Sequence, residues 1–279
     1  MKNTFDPDHQ NQLAEKFHQL HHTGSPLVLA NAWDALSAKI VELEGLPAVA
    51  TTSSGISWSC GYADGEGIPS EMMIEEVRKI ARCVKIPVSA DIEGGYCGND
   101  QQALAHFTQN IIKAGAIGVN LEDSDAKTGK LNSVIEQVEK IKTLRKTAQA
   151  MGVNLFINAR IDAMTLEDGI TEKLKIITDR AQAYQQAGAS GIFVPFITEM
   201  ETVKAVKTAI QLPLNILMTK TLDVKALKEL NINRISLGGR PSLMAKTQFK
   251  KIVDQVQNSE HWDRLFYEGI THPQANKWF

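Results

Sequence analysis

Asp91, Glu93, Glu122 and Arg160 are the residues whose types and spacing most directly imply chemistry. They close short apolar runs that read PVSADIEGG, IGVNLEDS and FINARIDA. Asp91 and Glu93 lie two apart, the spacing at which side chains of a strand share a face, and the run ending in Glu122 follows next. Carboxylates gathered in a partly desolvated space raise one another's pKa unless a cation sits among them. An all-oxygen donor set, without His or Cys, favours a hard ion, Mg²⁺ with Mn²⁺ as the alternative. The planar fork of Arg160 suits a carboxylate or phosphonate and so implies an anionic substrate. Its other reading is structural, a bridge from Arg160 to Glu122 or Asp162.

These residues need a frame that brings strand ends together. Eight runs read as strands: Leu27–Asn31, Ala48–Thr52, Pro87–Asp91, Ile117–Glu122, Asn154–Arg160, Gly191–Pro195, Pro213–Met218 and Arg234–Gly238. Between them lie amphipathic helices, such as Leu131–Ala148 with apolar Leu131, Val134, Ile135, Val138, Ile141 and Leu144. Another follows Ser70, read as its N-cap. Strands apolar on both faces, alternating with helices, predict a parallel sheet covered by helices, and the count of eight predicts a closed (β/α)8 TIM barrel. In such a barrel the C-terminal strand ends all face one mouth.

The 279 residues form one barrel domain on this reading, its core at about 25–257 and a helical extension at about 242–279. Helix at Ser242–Gln257 and near Trp262–Tyr267 exceeds what closure needs and predicts contact between subunits. A formal net charge of -2 argues against nucleic acid or an anionic membrane as partner. The polar N-terminus and the lack of a long apolar run predict a cytoplasmic protein. Cys60, Cys83 and Cys97 are odd in number and unpaired in spacing, so neither a disulfide framework nor a zinc site is predicted.

The segments LANAWDALSAKIVE, TTSSGISWSCGYADGE, VSADIEGGYCG, GAIGVNLEDS, INARIDA and AGASGIFVP together resemble the isocitrate lyase/phosphoenolpyruvate mutase superfamily, from about Leu27 to Gly239. The resemblance implies a Mg²⁺ site drawing directly or through water on Asp64, Asp91, Glu93 and Glu122, with Asp91 the principal ligand. It implies that Ser54, Gly55 and Ile56 grip a substrate carboxylate and that Arg160 binds the same anion. It places Asn215 at the substrate, and Asp64, Glu122 and Arg160 in the catalytic set. It also implies a dimer of dimers in which the last barrel helix is exchanged between subunits.

The sequence departs from the superfamily's lyases at the loop after the fourth strand. They carry a Lys-Lys/Arg-Cys-Gly-His segment there; residues 124–132 read SDAKTGKLN. This argues against isocitrate and methylisocitrate as substrates. Lys127, Thr128 and Lys130 form either a closing lid about Gly129 or a solvated turn. Cys97 is either a substitute thiol or a packing residue. Lys220 is read as solvated and His106 as a helix residue. The reading is a Mg²⁺-dependent lyase or decarboxylase that breaks a C–C bond of a small 2-oxo or 2-hydroxy carboxylate through an enolate. The alternatives are a P–C bond enzyme and a barrel that binds oxo-acids without turnover.

Overall fold

The structure is a computed structural model and describes residues 5–259, 262 and 269–279. All its paired strands are parallel and belong to one sheet. The first predicted strand is split at Ala30 into β1 (Leu27–Leu29) and β2 (Asn31–Ala32). The others are β3 (Val49–Thr51), β4 (Val88–Asp91), β5 (Gly118–Glu122), β6 (Phe156–Arg160), β7 (Gly191–Val194), β8 (Leu214–Leu217) and β9 (Arg234–Ser236). β1 pairs with β9 and β2 with β3, so the two halves of one broken strand close the ring into the expected barrel.

Helices alternate with the strands: α2 (Ala35–Leu43), α3 (Ser53–Ser59), α4 (Ser70–Cys83), α5 (Gln101–Lys113), α6 (Val134–Ala150), α7 (Ile170–Gln186), α8 (Met200–Ala209), α9 (Val224–Glu229) and α10 (Arg240–Asn258). α1 (Pro7–Leu20) precedes the barrel and α11 (His272–Lys277) follows it. α6 starts where Ser133 and Glu136 form a reciprocal capping box. Ser70 proves to be the first residue of α4, and Pro69 is its cap. None of the described helices is long and apolar enough to cross a membrane.

Alternation along the strands sorts the side chains. Val119, Leu121, Ile157 and Ala159 are buried on one face, while Asn120 and Asn158 share the other with Glu122 and Arg160. The barrel interior is therefore polar near its centre. Asn158 Nδ2 donates to Asn120 Oδ1 at 2.8 Å, and Arg234 Nη2 donates to the same oxygen at 3.2 Å. Ser236 Oγ donates to Asn215 Oδ1 at 3.0 Å. α1 covers the N-terminal end: the Phe17 ring lies edge-on to Phe156 at 5.3 Å, and the His21 ring stacks on Phe156 at 4.0 Å.

α10 behaves differently from the other long helices. Its only buried residue is Ser242, and Phe249, Ile252, Val253 and Val256 form an exposed apolar stripe. Of the segment near Trp262–Tyr267, only Trp262 falls within the described residues, and it is exposed.

Candidate active site

The C-terminal strand ends surround a cavity of about 630 Å³. Asp64, Asp91, Glu93, Glu122, Arg160 and Ser54 all line it, as the sequence predicts. Asp91 ends β4, and its Oδ2 accepts the amide of Ser53 at 3.1 Å and the Ser53 hydroxyl at 2.9 Å. Thr51 Oγ1 accepts the Asp91 amide at 2.8 Å, locking the β3 and β4 ends together. Asp91 Oδ1 is buried and has no hydrogen-bond partner. A buried carboxylate oxygen left bare is costly, so this atom calls for a ligand.

Glu93 reaches the same cavity by a different route from the one its spacing implies. The strand ends at Asp91, and Glu93 adopts a left-handed backbone, φ 49°. Glu66 and Tyr96 are left-handed as well, both at φ 57°, and the three residues bind one another. The Glu66 amide donates to Glu93 Oε2 at 2.6 Å, Tyr96 OH donates to Glu93 Oε1 at 2.5 Å, and the Tyr96 amide donates to Glu66 Oε1 at 2.8 Å. Non-glycine residues in this region cost roughly 1–3 kcal/mol each and persist where surrounding contacts hold them, a pattern typical of functional sites. Burial, with Asp91 and Asp64 adding to it against these hydrogen bonds, pushes the Glu93 carboxyl up to about 7. Burial and the charge of Asp91 also raise Asp64.

Arg160 and Glu122 are register partners on β6 and β5. Arg160 Nη1 donates to Glu122 Oε1, and its Nε donates to Asp162 Oδ1 at 2.7 Å. Burial pushes Glu122 well up, with Arg160 pulling the other way. Burial works against the Arg160 charge too, but Glu122, Asp162 and Asp91 outweigh it and hold the guanidinium ionised. The bridge to both carboxylates is thus present, yet Arg160 still lines the cavity and its Nη2 makes no hydrogen bond to the described residues. Asp162 is anchored in turn. Ser124 Oγ donates to its Oδ2 at 2.6 Å, and Asp123 Oδ1 accepts its amide at 2.9 Å.

Three expectations need correction. Gly55 and Ile56 do not line the cavity, because residues 53–59 form a helix rather than an open turn. The Ile56 side chain is wholly buried, and its amide donates to the Thr52 carbonyl at 3.1 Å. Asn215 sits mid-strand below the cavity, where it binds Ser236; Leu217, two residues on, reaches the mouth instead. Finally, among the described residues no three His, Cys, Asp or Glu side chains are drawn together closely enough to hold an ion unaided. Arg160 takes one oxygen of Glu122, and Tyr96 with the Glu66 amide takes Glu93, while Asp91 keeps a buried oxygen without a partner.

Residues 124–132 form a turn at the cavity rim: Asp125 Oδ1 accepts the amides of Lys127 and Thr128, Ser124 bridges to Leu131, and Ser124, Asp125, Ala126 and Gly129 line the cavity, whereas Lys127, Thr128 and Lys130 are exposed and do not. Cys97 does not line the cavity, and burial raises its thiol, so it is a packing residue. The sequence reading passed over Ser53, Glu66, Tyr96, Trp58, Phe193 and Phe196. The acid-hydroxyl pairing of Ser53 with Asp91 spans 38 positions and leaves no local signal.

Residues 17–257 match the phosphoenolpyruvate phosphomutase family. An uncharacterized protein of Mycobacterium tuberculosis is 35% identical, over 81% of this chain and 82% of its own. A 2,3-dimethylmalate lyase of Eubacterium barkeri is 31% identical over 71% and 68%. A 2-methylisocitrate lyase of Halalkalibacterium halodurans is 28% identical over 77% and 70%. Among solved structures, a Burkholderia cenocepacia J2315 protein classed as a phosphonomutase superposes with a TM-score of 0.83 at 38% identity, over 88% of this chain and 100% of that one. A phosphonopyruvate hydrolase in complex with oxalate and Mg²⁺ shares the fold, with a TM-score of 0.82 at 19% identity over 95% and 94%.

Proposed function

From the premise that this chain belongs to the phosphoenolpyruvate phosphomutase family, within the isocitrate lyase/phosphoenolpyruvate mutase superfamily of enzymes, we propose that it is a Mg²⁺-dependent lyase or decarboxylase. It cleaves a C–C bond of a small 2-oxo or 2-hydroxy carboxylate. The observation that carries this reading is the bare Oδ1 of Asp91 in a cavity whose polar walls include Asp64, Glu93, Glu122 and Arg160. Asp91 would hold the ion directly, and Asp64, Glu93 and Glu122 through water; this all-oxygen set fits Mg²⁺, which keeps several waters. The fold-sharing hydrolase that binds oxalate and Mg²⁺ supports the same assignment. When bound, Mg²⁺ supplies Lewis-acid charge that draws electrons toward the oxo-acid end of a substrate.

The chain's own residues do the rest. Ser54 binds the substrate carboxylate through its hydroxyl, itself 3.0 Å from Thr52 Oγ1. The Ser54 amide joins it, because Thr52 makes no side-chain cap to the first turn of α3. Arg160 offers its free Nη2 to the same anion, so that charge developing on the oxo-acid fragment as the bond breaks meets fixed donors. Asp64, in the cavity lining, is the residue placed to move a proton to or from the substrate, and the Glu122–Arg160 pair holds the guanidinium in place.

The assay is turnover of 2-oxo and 2-hydroxy acids with Mg²⁺. No turnover across dimethylmalate, oxaloacetate and their homologues would remove this reading. The second reading, P–C chemistry, rests on the phosphonomutase likeness, and phosphorus NMR with phosphonopyruvate or phosphoenolpyruvate separates the two. The exposed stripe on α10 supports a homo-oligomer, which we propose to be a dimer of dimers with α10 exchanged between subunits.

A further inference from the structure

The cavity has two chemically different halves. Its carboxylates come from the ends of β4 and β5, the turn just after β4 and the loop after α3, while the β7 and β8 side carries Phe193 and Leu217, with Phe196 just beyond β7 and Met218 just beyond β8. Arg160 on β6 stands between the halves. Its guanidinium carbon lies 5.8 Å from the Phe193 ring centre and 5.7 Å from that of Phe196.

Phe196 is the unusual member. Its backbone is left-handed, φ 65°, a conformation that bulky residues rarely adopt. The residue is 46% exposed, so packing does not repay the strain. Strain of this kind, held at the rim of a cavity, marks a residue placed for a ligand. The volume agrees. About 630 Å³ falls in the range of about 300–1,000 Å³ that accommodates drug-sized ligands, well beyond the needs of an acid of a few carbons.

We infer that the β7–β8 half is a subsite for an apolar substituent and that Phe196 is its specificity-determining residue. The substrate would then be a 2-oxo or 2-hydroxy acid with an alkyl or aryl group of several carbons beside the bond that breaks. This rests on the metal-and-anion reading of the polar half. It competes with one other feature of the rim: Lys220 and Arg240 also line the cavity, and both are exposed, so a second carboxylate is the rival substituent.

Calorimetric titration with Mg²⁺ present decides among these, using oxalate, oxamate, N-propyloxamate and N-(carboxymethyl)oxamate. The subsite predicts that N-propyloxamate binds more tightly than oxamate, by about fourfold per buried methylene, and that N-(carboxymethyl)oxamate gains nothing. In Phe196→Gly, which the left-handed backbone favours and which should fold, the propyl advantage falls by about fivefold or more. Phe196→Tyr retains it. Oxamate that binds with no gain from the propyl group, or a larger gain from the carboxymethyl group, overturns the subsite while leaving the metal-and-anion reading intact. If neither oxalate nor oxamate binds, that reading fails and the subsite falls with it.

Discussion

Replacing Arg180 by methionine removes the cation from a buried network that ties α7 to the end of β5. Arg180 Nη1 donates to Asp123 Oδ2 at 2.9 Å, and Nη2 donates to the Asn132 carbonyl at 2.7 Å. Asp123 is fully buried, and it also accepts from Tyr184 OH at 2.8 Å and from the Asp162 amide. Burial pushes Asp123 up, and Arg180 is the strongest influence opposing it. Removing one partner of such a pair costs about 3–5 kcal/mol, because the other charge stays buried. For a chain of this size, each kcal/mol lowers Tm by about 2–4 °C, so a fall of roughly 6–20 °C is expected by calorimetry or circular dichroism. The sign of the pH dependence follows. Without Arg180 the folded pKa of Asp123 rises further above its unfolded value, so the deficit shrinks on acidification and grows as pH rises. Adding Asp123→Asn should restore at least about 1 kcal/mol, since the neutral amide still accepts from the Asp162 amide. A loss below about 1 kcal/mol, or no recovery in the double variant, would refute the reasoning.

Three other outcomes are expected. Burial, aided by the nearby Arg234 charge, lowers His21 to about 3, so it stays neutral in the folded protein; wild-type stability should be lost as pH falls below about 6.5, by about 1.4 kcal/mol per unit from this residue. His21→Gln should remove that slope in a comparison of urea midpoints between pH 7 and 5, and an unchanged slope counts against the assignment. A Cβ on Gly239 would stand 2.7 Å from Ser54 Oγ, so Gly239→Ala should displace the hydroxyl and weaken oxalate binding about tenfold with little change in Tm; unchanged affinity would free Ser54 of its role. Phe249→Glu with Ile252→Glu should yield a monomer by light scattering at micromolar concentration, and an unaltered assembly would exclude the α10 stripe from the interface.

The frame was legible because strand and helix periods differ, and because eight apolar runs ended in polar residues. The split of the first strand at Ala30 was not, since Leu27–Asn31 reads continuously and only pairing with two different neighbours breaks it. Asp91, Glu122 and Arg160 could be placed because they end strands, where alternation decides the face. Glu93 was placed at the right cavity for the wrong reason: its orientation comes from a left-handed turn braced by the nearby Tyr96 and by Glu66, which lies 27 positions away in sequence. The pairing of Arg160 with two carboxylates appears in the sequence only as an open choice, because a strand register was needed to set Glu122 opposite it. Asn215 was misjudged by two residues of strand length, enough to move it from the mouth to the polar layer beneath. Phe196 left no trace, as its conformation has no signature in residue type.

Titration of Mg²⁺ and oxalate into the protein, each in the absence and presence of the other, tests the central claim. Wild type should bind each more tightly when the other is present, by the same factor, as linkage requires. Asp91→Asn should lose Mg²⁺ binding and, with it, the ion's effect on oxalate. Oxalate binding indifferent to Mg²⁺, or an Asp91→Asn protein that binds the ion as wild type does, would contradict the account.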